Sequence, residues 1–430
     1  MRITIGLVST ILILGTHAHA KDWYVSANRG TGREGTRASP VRDLGIISSQ
    51  LQAGDKVFIA TGRYLGRGEN GADKITVPIE IQGGYADDFS SRDPWKAFKT
   101  VFSGSNKSDN FSTETRLSID TSSYSTNLET KAHKVVVEGI IFDNAERNTY
   151  ANASQNKIIR KGNGSDKPSP ESGALSITTG FNGDILVRNN IALNTAPTVG
   201  VFAFFPGKAA KVDILNNSAV NNTGVAYHLS KSYFSDNEND YPRFNMQNNV
   251  AIFTQKYDPF ATFGGSSVML EAGTKVALLN NVFAMNDFYG IDNARRAKNV
   301  TLKDNLFMGN LVSDYLEFNT KVKLSAIQEI PELLSVATGN RSATIKLPIS
   351  SAWASKYFGR NIIDRAAVEG ASGGLNTSAN DLRSMLGLPL QGAVVNADSD
   401  IWLPRIGFED AAKVSARYAQ NHGCFTPIYK

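Results

Sequence analysis

Histidine, the side chain whose charge changes near neutral pH, is scarce in this sequence. Of five histidines in 430 residues, those after residue 20 are His133, His228 and His422. His228 lies in the segment GVAYHLS (224–230), where alternation predicts a β-strand with Tyr227 inward and His228 outward. An exposed neutral imidazole can remove a proton from a carbon next to a carboxylate, and the nearby Lys231 could stabilise the resulting charge. This pair predicts elimination from an acidic sugar chain.

Three further strand-like segments carry ionisable side chains: SSVMLEAG (266–273), YGIDNARR (289–296) and SDYLEFN (313–319). The same alternation predicts that Glu271, Asp292, Tyr315 and Glu317 face outward, with Arg295 and Arg296 at the end of their strand. A slip of one residue would reverse each of these assignments.

For elimination we predict His228 as the base, Lys231 and Arg295 as cations that stabilise the anion, and Tyr227 or Tyr289 as the acid. The residues predicted to contact substrate are Tyr227, Tyr289, Arg296, Tyr315, Glu317, Arg160 and Lys161.

Hydrolysis is the rival chemistry. On adjacent strands, the predicted catalytic carboxyls of Glu271 and Asp292 would lie ~5 Å apart, a spacing that suits a retaining glycosidase. Glu271 and Glu317 would be ~10 Å apart, slightly beyond the inverting range. Both reactions therefore remain open on the sequence.

These segments alternate with a second repeat, in which a short apolar strand, an Asn-rich polar pair and another apolar strand follow one another. The copies are VVVEGIIF (135–142), ILVRNNIAL (185–193), DILNNSAV (213–220), FNMQNNVAIF (244–253), VALLNNVFAM (276–285) and VTLKDNLFM (300–308). Alignment on the second residue of each pair gives Gly139, Asn190, Asn217, Asn249, Asn281 and Asn305. The spacings are 51, 27, 32, 32 and 24 residues, and we interpret 51 as two turns.

A turn of this length with two or three strands favours a parallel β-helix. Asn and Gly tolerate the left-handed backbone of a corner, and stacked Asn side chains can hydrogen-bond from one turn to the next, every ~4.8 Å. A β-sandwich with Asn-rich turns is the alternative. The segments that carry the ionisable residues would then stack into one sheet beside variable loops, forming a groove suited to an extended polymer.

The two ends of the chain differ from this repeat. Residues 1–20 combine Arg2, an apolar run and Ala18-His19-Ala20, which predicts a cleaved signal peptide and a periplasmic or secreted protein of a Gram-negative bacterium. From 331 to 430 the repeat disappears, and we predict a C-terminal capping segment of irregular and helical pieces. One cysteine, Cys424, excludes a disulfide scaffold.

From Trp23 to Ile330 the chain resembles the pectate-lyase-like superfamily of right-handed parallel β-helices. The resemblance lies in WYVSANRGTGREGTRASPVRDLGIISSQLQAGDKVFIATGRYLG and in IQGGYADDFSSRDPWKAFKTVFSG (81–104). It implies an all-β, single-stranded right-handed parallel β-helix with an N-terminal cap helix near 41–52, over residues 21–330. It also implies a lyase, hydrolase or epimerase acting on polysaccharide, such as a biofilm-matrix exopolysaccharide. The Asn-Thr-Asp, Gly-Asp-Asp and Gly-His-Gly segments of polygalacturonases and the Asp-Pro-His-Asp segment of mannuronan epimerases are missing.

The expected partner is an acidic polysaccharide bound by a monomer without an integral membrane segment. The net charge of +5 and the basic stretch NKIIRKGNG (156–164) suit such a ligand. Export and this modest charge disfavour nucleic acid. Carboxylates and amides in DNEND (236–240) could hold Ca²⁺. A surface protein that binds polysaccharide without cleaving it is the non-enzymatic alternative.

Overall fold

The computed structural model describes residues 20–68, 71–104, 115–124, 134–144, 173–180, 183–195, 200–255, 264–286, 288–310, 312–318, 320–322 and 336–343. The apolar run of the leader, Arg160, Lys161, Cys424 and most of the C-terminal segment lie outside these ranges. No helix within them is long and apolar enough to cross a membrane.

Almost all regular structure in the described ranges is β-strand. The strands of the N-terminal half are β1 (Asp22–Val25), β2 (Lys56–Ala60), β3 (Gly62–Tyr64), β4 (Asp73–Ile75), β5 (Glu80–Tyr85), β6 (Thr100–Phe102), β7 (Leu117–Thr121), β8 (Val135–Glu138), β9 (Ile140–Asp143), β10 (Leu175–Thr179), β11 (Ile185–Arg188), β12 (Ile191–Leu193), β13 (Phe202–Phe205) and β14 (Lys211–Leu215). Those that follow are β15 (Ser218–Thr223), β16 (Val225–Leu229), β17 (Arg243–Gln247), β18 (Val250–Gln255), β19 (Ser266–Leu270), β20 (Lys275–Leu279), β21 (Val282–Ala284), β22 (Tyr289–Asn293), β23 (Asn299–Lys303), β24 (Leu306–Met308), β25 (Ser313–Glu317), β26 (Thr320–Val322), β27 (Val336–Thr338) and β28 (Arg341–Ala343). In the described residues the helical elements are α1 (Leu44–Ile47) and two 3₁₀ turns, Ser122–Tyr124 and Glu238–Asp240.

Successive turns of the chain contribute strands to three sheets, which confirms the parallel β-helix. The first sheet runs β1-β2-β5-β8-β11-β14-β17-β20-β23-β27, the second β28-β24-β21-β18-β15-β12-β9-β6-β3, and the third β26-β25-β22-β19-β16-β13-β10-β7-β4. Within these sheets the strand pairings are parallel except that between β25 and β26. The antiparallel β26 therefore covers the edge of the third sheet, where an open edge would invite pairing with another chain.

The corner between the first two sheets is built from the predicted Asn pairs. The first residue of each pair adopts a left-handed backbone, as in Asn189 (φ 57°) and Asn216 (φ 57°). The second residue stacks in what we call the asparagine ladder, whose members are Asn190, Asn217, Asn249, Asn281, Asn305 and Asn340. Each amide donates to the carbonyl oxygen of the next amide at 2.9–3.1 Å. The first residues also bond between turns, since Asn216 Nδ2 donates to Asn189 Oδ1 and Asn280 Nδ2 to Asn248 Oδ1, so they combine the left-handed corner with a second row of hydrogen bonds.

Two details of the predicted repeat are wrong. Gly139 aligns with Asn189, not Asn190, because Glu138 pairs with Arg188 and Ile141 with Ile191. Gly139 therefore supplies the left-handed position (φ 73°), as glycine does readily. Because β8 pairs directly with β11, the 51-residue spacing is one turn with a long insertion rather than two turns.

The coil begins and ends differently from the prediction. The N-terminal helix is only Leu44–Ile47, capped by the Asp43 carboxylate, which accepts the amide N–H of Gly45, and it buries Leu44 and Ile47 in the core. At the other end, β27 and β28 pair with β23 and β24. The coil therefore passes residue 330 and reaches at least Ala343. The predicted helical pieces beyond it lie outside the described residues.

Candidate active site on the third sheet

Register in the third sheet defines two columns of side chains across β13, β16, β19, β22 and β25. The inner column is Phe202, Tyr227, Val268, Ile291 and Tyr315. The outer column is Ala203, His228, Met269, Asp292 and Leu316. Members of the inner column are 0% exposed, whereas those of the outer column are 4–7% exposed. His228 and Asp292 thus occupy the outer face, as predicted from alternation.

Two predicted substrate contacts fall on the wrong side of the sheet. Tyr227 is buried in the core, where its ring stacks on Phe202 at 5.2 Å. Tyr315 is also in the core, because β25 has the opposite phase from the one predicted and Leu316 takes the outer place. Neither tyrosine can contact a substrate in the groove, so the acid role of Tyr227 is excluded.

The same change of phase affects Glu317. It pairs in register with Asn293 and its Oε2 accepts hydrogen bonds from Asn293 Nδ2 at 2.7 Å and from the Tyr315 hydroxyl at 2.5 Å. Burial, followed by the Glu317 carboxylate, raises the pKa of Tyr315. Asn293 also bonds both ways to Ala297 and so holds the turn that carries Arg295. Glu317 is therefore a structural partner of that turn.

Three predicted residues do meet, in what we call the Glu271 cluster: His228, Glu271 and Arg295. Glu271 Oε1 contacts His228 Nε2 at 2.9 Å and forms an ion pair with Arg295 Nη1. The backbone N–H of Glu271 donates to the carbonyl of Leu229, which fixes the end of β19 against β16. The Arg295 side chain is 55% exposed, and a guanidinium carries five N–H donors. Arg295 therefore retains donors for a ligand while it holds Glu271.

The imidazole of His228 is buried and held on several sides. Its ring meets the edge of Phe205 at 5.5 Å and 85°, and the Cα of Gly200 lies against its Cβ so closely that an added methyl would clash. Nδ1 has no hydrogen-bond partner among the described residues. With Nε2–H donating to a carboxylate, the lone pair of the neutral ring is on Nδ1. The arrangement thus produces an oriented base with a free acceptor atom.

Asp292 and Tyr289 lie beside this cluster. Burial, more than the Glu271 charge, raises the pKa of Asp292, although the Ala294 N–H and Arg295 oppose the rise. Burial and Asp292 raise the pKa of the Tyr289 hydroxyl. Asp292 pairs in register with Met269 and not with Glu271, so the two carboxylates are offset along their strands. The carboxyl separation of ~5 Å stays a prediction.

The other two predicted cations lie at the margins of the cluster. Lys231 Nζ sits over Gly273 and near the rings of Tyr233, Phe234 and Tyr241, at 5.3–5.9 Å from their centroids. The Arg296 guanidinium stacks on Phe318 at 3.7 Å. Aromatic rings that were not predicted as site residues therefore position both cations. The available signal was a Phe at or shortly after the end of each of two predicted strands, Phe318 and Phe234.

The loop 236–240, which carries the predicted calcium ligands, is held by side-chain contacts within the protein. The Asp240 carboxylate binds Lys208 Nζ at 3.1 Å and Ser235 Oγ at 2.7 Å. In the described ranges, no three His, Cys, Asp or Glu side chains are grouped to hold a metal ion. Calcium binding by DNEND stays a prediction.

One cavity of about 540 Å³ lies at the N-terminal end of the coil. Its lining is Ala27, Asn28, Arg42, Asp43, Arg63, Tyr64, Leu65, Gly66 and Gly68. None of these belongs to the Glu271 cluster, so this cavity is separate from it.

No family model matches the sequence, and no curated protein matches it. Similar solved structures include a crystal structure of pectate lyase Pel9A, with 11% identity and a TM-score of 0.30 over 77% of this chain and 82% of that chain. Another is the GH136 lacto-N-biosidase from Eubacterium ramulus, with 11% identity and a TM-score of 0.24 over 76% of this chain and 68% of that chain. Neither similarity assigns an activity to this chain.

Proposed function

We propose that the protein binds an acidic, uronate-containing polysaccharide along the third sheet and cleaves it by β-elimination at the Glu271 cluster. The observation that carries this proposal is the buried His228, whose Nε2 is held by Glu271 and whose Nδ1 has no partner among the described residues. Buried polar atoms are nearly always paired, so this buried, unpartnered atom needs an explanation. A proton-accepting role, with Nδ1 uncovered when substrate binds, supplies one.

In this reaction a local side-chain movement on substrate binding uncovers the buried His228 Nδ1, which removes the proton from the carbon that bears the carboxylate. The electron pair forms a carbon–carbon double bond, and the bond from the neighbouring carbon to the glycosidic oxygen breaks. Arg295 pairs with the carboxylate while it carries enolate-like charge, and Glu271 stabilises the imidazolium. Tyr289, whose hydroxyl interacts with the Asp292 carboxylate, is the remaining proposed acid for the departing oxygen.

The primary test is ultraviolet absorbance during incubation with polymers of galacturonate, of mannuronate and guluronate, and of glucuronate, followed beside a reducing-end assay. We expect absorbance from an unsaturated uronate with at least one polymer. His228→Ala and Arg295→Ala should abolish it, whereas Arg243→Ala, an exposed cation on the first sheet, should not. Full activity in the His228→Ala variant would overturn the assignment.

Hydrolysis is the second candidate, and one observation favours it. The environment raises the pKa of Asp292, while Glu271 is paired with a guanidinium. A carboxyl with a raised pKa near a second carboxylate that is held in an ion pair is typical of a glycosidase acid and its partner. New reducing ends without ultraviolet absorbance, lost in Asp292→Asn, would support it. Retention of polymer with neither signal would support a protein that only binds matrix polysaccharide.

The expected location and calcium use belong to the same proposal. We propose export, removal of residues 1–20 and action on an exopolysaccharide, which fractionation of producing cells and N-terminal sequencing would check. Calorimetric titration of Ca²⁺ into the wild type and an Asp236→Asn variant would test the DNEND loop. Equal heats from both proteins would exclude Asp236 as a ligand.

A further inference from the structure

We propose that Phe234 and Phe318 are stacking platforms that hold sugar rings on either side of the Glu271 cluster. The identity of the bound polymer rests on the function proposed above. These two rings are among the few large apolar side chains that the described residues leave exposed, at 85% and 45%. Isolated rings separated by charged groups differ from the contiguous apolar patch of a protein interface.

Phe234 is exposed on a loop that is held in place by many bonds. Ser232 Oγ lies 3.0 Å from the Thr179 carbonyl oxygen and 3.2 Å from that of Pro206. The Tyr233 hydroxyl donates to the Asp240 carbonyl, and the Asp240 carboxylate binds Lys208. The loop therefore presents the ring in a preorganised position, which lowers the entropic cost of binding.

Contacts of Lys231 place this ring near the cluster. Lys231 Nζ is 5.9 Å from the Phe234 centroid and also lies against Gly273. Gly273 follows Glu271 by two residues, in a turn closed by a 2.7 Å bond from Thr274 Oγ1 to the Glu271 carbonyl. A ring face and a cation are thus presented together at the margin of the cluster.

Phe318 repeats this combination on the other side. Its ring lies 3.7 Å from the Arg296 guanidinium, and its N–H donates to the Asn293 carbonyl at 3.2 Å. Arg296 follows Arg295, which binds Glu271. The second platform therefore also pairs an aromatic face with a cation, directly beside a member of the cluster.

The spacing and charge of the platforms fit one occupant. Phe234 follows β16 and Phe318 follows β25, three strands apart in the third sheet, which corresponds to about 14 Å at ~4.8 Å per strand. The C–H faces of sugar rings can pack on aromatic faces, while Lys231 and Arg296 can pair with ring carboxylates. The geometry suits a segment of several acidic sugar rings that lies across the strands with its scissile bond over His228.

The test compares Phe234→Ala, Phe318→Ala and the double variant by affinity electrophoresis in gels that contain polygalacturonate, alginate or a glucuronate polymer. We expect each single change to weaken retention about five- to tenfold and the double change more than about thirtyfold. Leu65→Ala, which removes a similarly exposed apolar side chain far along the coil, should leave retention unchanged. Thermal unfolding midpoints of all variants should match the wild type.

Kinetics on a cleaved polymer should show the loss in KM, with kcat within about twofold of the wild type. Unchanged retention in the double variant, or no retention of any of the three polymers by the wild type, would overturn the platforms. The proposed reaction fails separately: if the wild type cleaves nothing while the double variant loses retention, the platforms stand and elimination is wrong.

Discussion

The asparagine ladder and the Glu271 cluster are both rows of buried polar side chains that cross parallel strands, but they satisfy their hydrogen bonds differently. In the ladder, Asn249 Oδ1 accepts from the backbone N–H and the side chain of Asn217, while its Nδ2 donates to Asn281 and to the Ile214 carbonyl. In the cluster, His228 Nδ1 has no partner in the described residues. Complete pairing indicates a structural role, whereas the unpaired His228 Nδ1 is the atom to which we assign the proposed chemistry.

Two carboxylates make the same contrast. Glu138 is buried between Arg92, at 2.9 Å, and Arg188, at 2.8 Å. Glu271 lies between His228 and Arg295 and is itself 14% exposed. Both carboxylates therefore have two cationic or basic neighbours, but only one of them has a neighbour with a free proton-accepting atom. The same Glu→Gln substitution at Glu138 and at Glu271 therefore separates an effect on stability from an effect on activity.

The largest expected effect is on activity, in Glu271→Gln. The amide can no longer stabilise the imidazolium that forms when His228 takes a proton, so we expect kcat to fall about 10³-fold. The midpoint of thermal unfolding should change little, because the Arg295 left behind is exposed. Steady-state kinetics and calorimetry on one preparation check both parts. A loss of unfolding free energy as large as that from breaking a buried ion pair would contradict the contrast between Glu271 and Glu138.

Glu138→Gln should give the reverse result. Loss of the buried charge leaves two guanidinium groups without their anion, and breaking such a pair costs about 3–5 kcal/mol. Activity per folded molecule should stay at the wild-type level. Urea unfolding followed by circular dichroism measures the loss, and stability equal to wild type would show that the network is not structural.

The Asn-rich pairs could be predicted to form a corner because few residues accept a left-handed backbone, and the alternation of 224–230 placed His228 on the outer face. The phase of β25 could not be predicted. Ser313–Phe318 offers apolar side chains at both phases, with Tyr315 on one and Leu316 on the other. Tyr315 takes the core position because its hydroxyl finds Glu317 and Asn293 there.

The contact between His228 and Glu271 could not be predicted from the sequence either. Register alone places Met269, not Glu271, beside His228. The Glu271 side chain reaches back diagonally from the residue after β19, held by its turn and by Arg295. Alternation predicts which face a side chain occupies, whereas such diagonal contacts depend on turns and on neighbouring charges.

The two positions of an Asn pair should respond differently. Asn249→Ala removes the acceptor of the Asn217 N–H and one of the acceptors of its side-chain amide, and we expect a loss of about 3 kcal/mol. Asn248→Gly keeps the left-handed backbone (φ 57°) but removes the partly buried acceptor of Asn280 Nδ2, and we expect a loss of about 1 kcal/mol. Urea unfolding checks both. Equal losses would contradict the greater contribution of the second position.

Asp73 gives a smaller predicted effect than Asn249 and shows that an unpaired buried atom does not by itself indicate chemistry. It is buried outside the Glu271 cluster, its Oδ1 has no partner among the described residues, and desolvation and then Asp43 raise its pKa to about 7. A carboxyl whose pKa is raised on folding contributes its stability below the unfolded value of 3.8 and loses it as pH rises through about 7. The full shift corresponds to at most about 4 kcal/mol, and we expect about 2 kcal/mol because water and local relaxation relieve part of the burial.

Asp73→Asn should therefore be more stable than the wild type at pH 8 and equal to it near pH 4, while the exposed control Asp236→Asn shows no such trend. If the unfolding midpoints of wild type and Asp73→Asn change in parallel across this pH range, Asp73 is paired in solution. The unpaired acceptor of His228 would then need the same direct test, by titration of its ring.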